Sequence, residues 1–461
     1  MIPLNIIKLA EIIKSKNIPT DKISVSSVSI DSRKESAGGV FFAIKGANHD
    51  GHDFVNSAFE NGASCAIVQT SASSVEPKKI DSDKPILLVD DTIEALGELA
   101  RYVRNNSSYK VIAITGSAGK TTTKNIISHI LKSHFKCFSS PKSYNNNIGV
   151  PLTILEAPPD SQILISELGS NHIGEIRPLA EIIGPDIAVI TTICPAHLEG
   201  FGGLDAIIKE KVSITAGLHP GGKFFINGSI EKLVDFCRNQ KIKFEAFEMP
   251  QNIKLSGDKS TFVIDNVAVT LPLIGRANVE NAAAAWAVCK SLGLSAAQFA
   301  QAVASIKPVD MRLEPLKFGR AIVLADCYNA NPGSMENALE TLYLISQQEN
   351  KRAVFIFGKM GELGSQSEKL HARLGEQITQ YKIPVLLTTK GDCTLAVKSA
   401  EKSADYKISA NIFENTSQLC DNLHKFIKPD DIILVKASRS ERFEAVIDRL
   451  KTLLSDNNKK I

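Results

Sequence analysis

The chain has 461 residues and a formal net charge of +3, from 53 Lys and Arg against 50 Asp and Glu. With 43% hydrophobic and 22% charged residues, its composition is that of a globular protein and excludes a disordered or fibrous chain. The length predicts roughly three domains, and the small net charge argues against a nucleic-acid-binding protein that works by neutralising phosphates.

Residues 1–17 interleave lysine and glutamate with isoleucine and leucine at helical spacing. This pattern predicts an amphipathic helix rather than a signal peptide, which needs an uninterrupted apolar segment. No apolar run of the sequence approaches the ~18 residues of a membrane span. The eight cysteines form no CxxC pair. We therefore expect a cytoplasmic protein with no membrane span, no disulfide framework and no structural zinc site.

Two changes of pattern divide the chain. A helical pattern over 92–104 runs into the polar segment 105–109, and two prolines lie in a second break near 305–315. We predict three domains: a small N-terminal α/β domain over 1–105, a central domain over 106–307 and a C-terminal domain over 308–461.

Apolar, often β-branched runs alternate with helical stretches through the second and third predicted domains. This alternation is typical of a parallel sheet covered by helices, so we expect a doubly wound central domain and a Rossmann-like C-terminal domain. The predicted strands are Val111–Ile114, Ile163–Ser166, Ile187–Ile193, Phe224–Ile226, Ile322–Ala325, Val354–Phe357, Val385–Thr389 and Ile432–Val435.

A glycine-rich loop follows the first of these strands and precedes a helical stretch. Backbone N–H groups of such a loop, together with the helix N-terminus, bind phosphates. Lys120 can reach the terminal phosphates of a nucleotide, and the Thr121 hydroxyl suits Mg²⁺. The loop departs from the common pattern because Ile114 occupies the position of the usual first glycine. The predicted phosphate-binding residues are Thr115, Gly116, Ser117, Ala118, Gly119, Lys120, Thr121 and Thr122.

Two more polar residues follow strands of the central domain. Glu167 comes directly after Ile163–Ser166, and His197 lies just past Ile187–Ile193. Both should lie at the carboxyl edge of the sheet beside the phosphate-binding loop, where they can hold metal ions that bridge to ATP phosphates. Either residue alone is more often structural or solvated, and their shared placement favours the metal site.

Three polar loops follow strands of the C-terminal domain. Residues 326–332 read DCYNANP, residues 358–364 read GKMGELG, and residues 436–439 read KASR. Ordinary turn chemistry explains any one of them. Because all three fall on the same predicted sheet edge, we interpret them as one wall of a cleft.

Together these motifs resemble the Mur ligases, the ATP-dependent amide ligases of peptidoglycan precursor synthesis, over essentially the whole chain. The AHLEGFG and DCYNANP segments favour the member that adds D-alanyl-D-alanine to UDP-N-acetylmuramoyl-tripeptide through an acyl phosphate. The resemblance rests on TGSAGKTTT, NNNIGVPLT, ELGSNHIGE, AHLEGFG, NVEN and DCYNANP, at residues 115–123, 145–153, 167–175, 196–202, 278–281 and 326–332.

The resemblance implies a role for each matching residue. It assigns the UDP end of the substrate to polar loops of the first domain, for which the residues alone indicate no ligand. It places the adenine and ribose of ATP near Asn281, and brings a wall of the C-terminal domain to ATP and the dipeptide. The implied substrate-binding residues are Ser32, Arg33, Lys45 and Gly46 for UDP, Arg312 and Asp326 for ATP, and Tyr328, Asn329 and Asn331 for the dipeptide.

The resemblance also implies two Mg²⁺ ions and a lysine carried as a carbamate. The implied metal positions are Thr121, Glu167, His197 and carbamylated Lys211, and the catalytic residues are Lys120, Glu167, His197 and Lys211. Lys209 stays an alternative for the carbamate, because residues 209–211 read KEK where the family commonly has Lys-Gly-Glu.

Two alternative functions and one feature of the substrate stay open. A sister ligase that adds a single amino acid would share most of these motifs, and a P-loop switch protein would share the nucleotide site alone. The third residue of the acceptor peptide, diaminopimelate or lysine, is not indicated by the sequence. We expect a monomer that uses two small-molecule substrates and has no nucleic-acid partner.

Overall fold

The computed structural model describes residues 3–20, 22–34, 36–70, 83–141 and 143–456. These residues form five β-sheets with helices packed on them. Among the helices of this described part, none is both long and apolar enough to cross a membrane.

The first region contains a four-stranded parallel sheet and a separate antiparallel strand pair. The predicted helix over 1–17 is wrong in extent, because Leu4–Asn5 pair with Ser24–Val25 and the Asn5 side chain caps the helix that follows. The elements are β1 (Leu4–Asn5), α1 (Ile6–Ile12), β2 (Ser24–Val25), β3 (Ser27–Ser29), β4 (Gly39–Phe42), α2 (Val55–Glu60), β5 (Cys65–Gln69), β6 (Ile86–Val89) and α3 (Thr92–Asn105).

The second region is built on a six-stranded sheet and a smaller three-stranded one. Its strands are β7 (Lys110–Thr115), β8 (Cys137–Ser139), β9 (Ile163–Glu167), β10 (Ile187–Ile190), β11 (Lys223–Asn227), β12 (Glu245–Phe247), β13 (Gln251–Leu255), β14 (Ser260–Ile264) and β15 (Val267–Leu271). Its helices are α4 (Lys120–Leu131), α5 (Gly149–Glu156), α6 (Ile176–Ile183), α7 (Leu198–Phe201), α8 (Leu204–Val212), α9 (Glu231–Asn239), α10 (Arg276–Ser291) and α11 (Ala296–Val303).

The large sheet of this region has the order β12-β11-β10-β7-β9-β8, and all its pairs are parallel. The four predicted strands of this region are confirmed, but β10 ends at Ile190 rather than Ile193. It ends early because Thr191 and Thr192 bind the glycine-rich loop instead of continuing the sheet. The antiparallel sheet β13-β14-β15 was not predicted.

The third region contains a second six-stranded sheet. In their order across the sheet, its strands are β16 (Glu314–Phe318), β17 (Ala321–Asp326), β21 (Ile432–Lys436), β18 (Ala353–Phe357), β19 (Val385–Thr389) and β20 (Ser409–Phe413). All pairs are parallel except the edge pair β16-β17, which is antiparallel and was not predicted. The helices of this region are α12 (Pro332–Glu349), α13 (Ser367–Gln380), α14 (Cys393–Ser403), α15 (Thr416–Asn422) and α16 (Glu444–Asp456).

The junction between the first two regions is fixed by helix α3. Its apolar face packs on α5 and α6, and Arg104 near its end is almost fully buried. The Arg104 guanidinium donates to the carbonyls of Ile183 and Gly184, both at 2.9 Å, and to Asp186 at 3.0 Å. These bonds satisfy backbone acceptors at the C-terminal end of α6, which a helix leaves without internal partners.

The connection between the second and third regions runs from α11 to β16. Met311 and Leu313 adopt left-handed backbone conformations, with φ of 56° and 52°. Such conformations cost non-glycine residues roughly 1 kcal/mol each. The third region meets the second mainly where α12 packs on α10 and where the short 3-10 helix Gly364–Gln366 packs on α7.

Candidate nucleotide-binding active site

A cavity of about 670 Å³ lies between the carboxyl edge of the central sheet and the C-terminal region. Its wall combines predicted site residues from both regions. Those that line it are Ser117, Ala118, Gly119, Lys120, Thr121, Thr122, Glu167, His197, Asn281, Arg312, Asp326, Tyr328, Asn329 and Asn331.

The glycine-rich loop is shaped by two residues with positive φ, Gly116 at 146° and Gly119 at 82°. A Cβ on Gly116 would lie 2.2 Å from the hydroxyl of Thr191, and a Cβ on Gly119 would lie 2.2 Å from Oδ1 of Asn281. Both contacts are far shorter than real Cβ atoms allow, so only glycine fits these two positions. The loop backbone can therefore come close to a phosphate without side chains in the way.

Residues that come just after β10 and β9 hold the same loop in place through hydrogen bonds. Ser117 N–H donates to the carbonyl of Thr192 at 2.8 Å, and the Thr191 hydroxyl donates to the carbonyl of Ala118 at 2.6 Å. The Thr115 hydroxyl, which is fully buried behind the cavity, donates to the carbonyl of Leu168 at 2.7 Å. These bonds fix the loop before any ligand arrives, as phosphate binding by backbone N–H groups requires.

Lys120 is the first residue of α4 and lines the cavity. Its ammonium donates to the carbonyl of Gly116 at 2.7 Å. Burial, assisted by the charge of Arg312, lowers the pKa of Lys120 below its usual value. An anionic phosphate in the cavity would reverse this effect, because it would pair with a desolvated ammonium.

Two buried residues that could offer oxygen ligands to a metal lie side by side: Thr121, just after the glycine-rich loop, and Glu167, at the end of β9. The Thr121 hydroxyl donates to Oε2 of Glu167 at 3.0 Å, and the ammonium of Lys124 lies 3.0 Å from Oε1 of the same carboxylate. Within the described part of the chain, no group of three or more His, Cys, Asp or Glu residues can hold a metal by itself. Thr121 and Glu167 nevertheless fit Mg²⁺, which binds proteins through one or two side-chain oxygens and takes its other ligands from phosphates and water.

His197 lines the same cavity but bonds to the C-terminal region. It is the N-cap of α7 and has a left-handed backbone, with φ of 50°. Its Nδ1 hydrogen-bonds to Oε2 of Glu362, in the loop after β18. The bond from His197 lowers the pKa of Glu362.

Lys211 lies near the end of α8 and is 1% exposed. It does not line the cavity itself; its ammonium donates at 2.7 Å to the hydroxyl of Ser170, which does. The ring of Phe201 covers it at 5.4 Å. Burial, with a smaller effect of the Lys120 charge, lowers the pKa of Lys211 to about 7. Lys209, the alternative residue, is exposed to solvent.

The wall from the C-terminal region is held by stacked and paired side chains. The guanidinium of Arg312 lies 4.1 Å from the centre of the Tyr328 ring, and the Tyr328 hydroxyl donates to Ser143 of the central region at 2.8 Å. Asp326 accepts from the buried ammonium of Lys436 at 2.6 Å and from the backbone N–H of Leu313 at 3.2 Å. Lys436 also lines the cavity.

The two asparagines of the DCYNANP loop serve their own backbone. Asn331 is the N-cap of α12, where it and Ser334 form a reciprocal capping box. The Asn329 side chain accepts from the N–H of Ala330 at 2.8 Å. Since both side chains already have backbone partners, the structure supports their role in shaping the loop and leaves contact with the dipeptide as a prediction.

The residues expected at the UDP end lie apart from this cavity. The Arg33 side chain is 87% exposed and pairs with Asp31 at 2.8 Å. Lys45 is also exposed and lies 4.0 Å from Asp50, while Gly46 N–H donates to His49 in the same turn. The carbonyl of Ser32 accepts from Asn61. Their role in binding UDP stays a prediction.

Several side chains that line the cavity or contact its lining residues were not named from the sequence. Glu362 and Lys436 lie in polar loops that were recognised as motifs, so the loop signal was present although the individual residues were not singled out. Lys124 and Ser170 carry no signal of their own. Their proximity to Glu167 and Lys211 becomes visible only in three dimensions.

Three family models match consecutive parts of the chain. They are the Mur ligase family catalytic domain at residues 24–104, the Mur ligase middle domain at 114–289, and the Mur ligase glutamate ligase domain at 311–439. The UDP-N-acetylmuramoyl-tripeptide–D-alanyl-D-alanine ligase of Haemophilus influenzae is 31% identical, over 98% of this chain and 99% of that protein. The chain belongs to the Mur ligase family and is an ATP-dependent ligase.

Solved structures of one member of that family resemble the chain over nearly its whole length. A crystal structure of MurF from Acinetobacter baumannii has a TM-score of 0.87 at 29% identity, and covers 98% of this chain and 99% of that one. A crystal structure of the MurF ligase from Thermotoga maritima in complex with ADP has a TM-score of 0.80 at 27% identity, with 94% and 99% covered. The three-domain Mur ligase fold predicted from the sequence is thereby confirmed.

Proposed function

We propose that the chain joins the amine of D-alanyl-D-alanine to the terminal carboxylate of UDP-N-acetylmuramoyl-tripeptide, with conversion of ATP to ADP and phosphate. The observation that carries the mechanism is the cavity in which a phosphate-binding loop faces Arg312 and Asp326 of another domain. The choice of substrates is supported by full-length relatives that carry this one activity by name.

The first step transfers the γ-phosphoryl group of ATP to the peptide carboxylate, because a free carboxylate is a poor electrophile. Both reactants are anionic, so their repulsion must be offset by fixed positive charge. Lys120 and Arg312 supply such charge from two walls of the cavity, and the N–H groups of the loop and of α4 hold the phosphates. Lys120 must first leave its bond with the Gly116 carbonyl.

Thr121 and Glu167 would hold Mg²⁺, with His197 as a further ligand at the same wall. Bound there, Mg²⁺ supplies charge neutralisation at the transferring phosphoryl group. Lys124 lies 3.0 Å from one oxygen of Glu167, so its positive charge offsets part of the cost of burying this carboxylate.

Lys211 is proposed to react with CO₂, which converts its neutral amine to a carbamate and releases a proton. The reaction requires the neutral amine, and burial lowers the pKa of Lys211 to about 7. Exposed Lys209 lacks this environment. The resulting anion would supply oxygen ligands of the kind that Mg²⁺ favours, next to Ser170 in the cavity wall.

In the second step the dipeptide amine attacks the acyl phosphate, and inorganic phosphate leaves the tetrahedral intermediate. Holding all reactants in one cavity supplies proximity, and closure of the C-terminal wall excludes the water that would hydrolyse the acyl phosphate.

We propose domains over 1–105, 106–307 and 308–461, the first holding the UDP end through Ser32, Arg33, Lys45 and Gly46. We also propose that the enzyme is a monomer, and that it is cytoplasmic, since ATP and nucleotide-linked precursors are metabolites of that compartment.

The test is a phosphate-release assay with the purified chain and ATP. Tripeptide acceptors that end in diaminopimelate or in lysine are each supplied with and without D-alanyl-D-alanine. Phosphate should appear at full rate only when acceptor and dipeptide are both present. Faster turnover with a single amino acid than with the dipeptide would instead identify a sister ligase, and turnover with ATP alone would identify a nucleotide switch.

A further inference from the structure

The loop over 358–364 has no role in the reaction described so far, although it touches the active site. It follows β18 of the C-terminal domain and packs on α7 of the central domain. Glu199 N–H donates to the carbonyl of Glu362 at 3.2 Å, and Gln366 donates to the carbonyl of Gly202 at 3.4 Å. The Glu362 carboxylate bonds to Nδ1 of His197.

Both partners of this bond have unusual backbones. Glu362 has φ of 57° and His197 has φ of 50°, each in the left-handed region that side chains disfavour. Two conformations that each cost roughly 1 kcal/mol meet at one contact. Both residues lie where the loop docks on α7, and strained residues persist where surrounding contacts fix them.

The bond determines which nitrogen of His197 carries the proton. An ionised carboxylate only accepts hydrogen bonds, so Nδ1 must be the N–H donor. In a neutral imidazole the lone pair is then on Nε2. Histidines that bind metals commonly have their other nitrogen held by a carboxylate in this way, which fixes the ring and makes it a better ligand.

We infer that Glu362 is a positioning residue that holds His197 in the form able to bind Mg²⁺. The inference rests on the proposed role of His197 as a metal ligand. Because Glu362 belongs to the C-terminal domain and His197 to the central one, this ligand is ready only when the two domains are docked. Metal binding and domain docking should therefore favour one another.

The test compares Glu362→Gly, Glu362→Gln and wild type. Glycine removes the carboxylate and accepts φ of 57° without strain, so loss of the contact is separated from backbone damage. Glutamine keeps an acceptor for the Nδ1 proton but not the charge. Glu368→Gln is the matched control, because this exposed carboxylate lies at the start of α13, six residues along the chain.

Two readouts are used, and neither is activity. Mn²⁺ affinity is measured by electron paramagnetic resonance with ADP present, at fixed pH. The tautomer of His197 is read from long-range ¹H–¹⁵N correlations of ¹⁵N-histidine-labelled protein, with the signal assigned through His197→Ala. We expect Glu362→Gly to raise the Mn²⁺ dissociation constant about tenfold or more and to shift the His197 signal away from the Nδ1–H form. Glu362→Gln should lie in between, and Glu368→Gln should match wild type.

The results separate two kinds of failure. If His197→Ala weakens Mn²⁺ binding and Glu362→Gly does not, the positioning role is wrong while the proposed metal site stands. If His197→Ala also leaves Mn²⁺ binding unchanged, the metal role of His197 fails and the inference fails with it. An unchanged His197 tautomer in Glu362→Gly overturns the inference whatever the metal affinity.

Discussion

Replacement of Lys211 by alanine tests the carbamate most directly. With a pKa of about 7, half of the Lys211 side chains are neutral at pH 7. A lysine at the ordinary value of 10.5 would be neutral in roughly one molecule in 3,000. At this pH burial therefore raises the fraction of neutral, reactive amine about a thousandfold over that of an ordinary surface lysine.

We expect Lys211→Ala to lose about 100-fold or more of the ligation rate, measured by phosphate release, because an anionic group at the metal site is removed. Formate or acetate should restore part of the rate by taking the place of the missing carboxylate. Lys209→Ala is the matched control and should behave as wild type, since Lys209 is exposed. With ¹³C-bicarbonate, a carbamate signal in the NMR spectrum should vanish in the first variant and persist in the second.

The pH dependence has a definite sign. Above the pKa of about 7 the amine of Lys211 is mostly neutral and reacts; below it the amine is protonated and does not. From pH 8 to pH 6 the neutral fraction falls from about 90% to about 10%, so the bicarbonate needed for half-maximal rate should rise several-fold. A bicarbonate requirement that does not change with pH, or activity lost in Lys209→Ala and kept in Lys211→Ala, would refute the reasoning.

Four other variants test separate parts of the structure. Lys120→Ala should lower the ligation rate about 100-fold with an unchanged melting temperature, and a tenth of the wild-type rate or more would contradict its role. His197→Ala should raise the Mg²⁺ concentration needed for half-maximal turnover at saturating ATP, and an unchanged curve would make it a structural loop residue. Arg33→Ala should raise the KM of the UDP-linked substrate about tenfold without changing that of ATP, whereas equal changes would point to a global effect. Arg104→Met should destabilise the protein by roughly 3 kcal/mol in thermal unfolding, because it removes the donor to Asp186 and to the carbonyls of Ile183, Gly184 and Tyr109, and a loss under 1 kcal/mol would show that water replaces it.

Much of the fold could be predicted because its signals are local. The central strands of the two large sheets are buried on both faces, so they stand out as short apolar runs. The glycine-rich loop was equally clear, since its spacing reflects a steric need at Gly116 and Gly119. The strand β13 was missed because it is short and mostly exposed, with Ile253 and Leu255 as its two apolar residues.

The site was harder to predict because its key contacts join distant parts of the chain. His197 and Glu362 are 165 residues apart, and their bond depends on how two domains dock. Lys209 and Lys211 cannot be told apart by residue type, since only the packing of α8 decides which one is buried. The helix cap that the Asn331 side chain provides was not predicted either, because it depends on how the loop folds onto α12.

The connection between the second and third domains has a left-handed residue on each side of Arg312, and this arrangement determines which domain Arg312 moves with. Met311 and Leu313 hold left-handed torsion angles and are both bonded to the third domain, Met311 through its carbonyl to the N–H of Tyr328 and Leu313 through its N–H to Asp326. Arg312 lies between them and its guanidinium rests on Tyr328, inside the cavity wall. Because these bonds tie the Arg312 segment to the third domain, a movement of that domain relative to the second would carry the Arg312 charge with it, toward or away from the rest of the cavity wall.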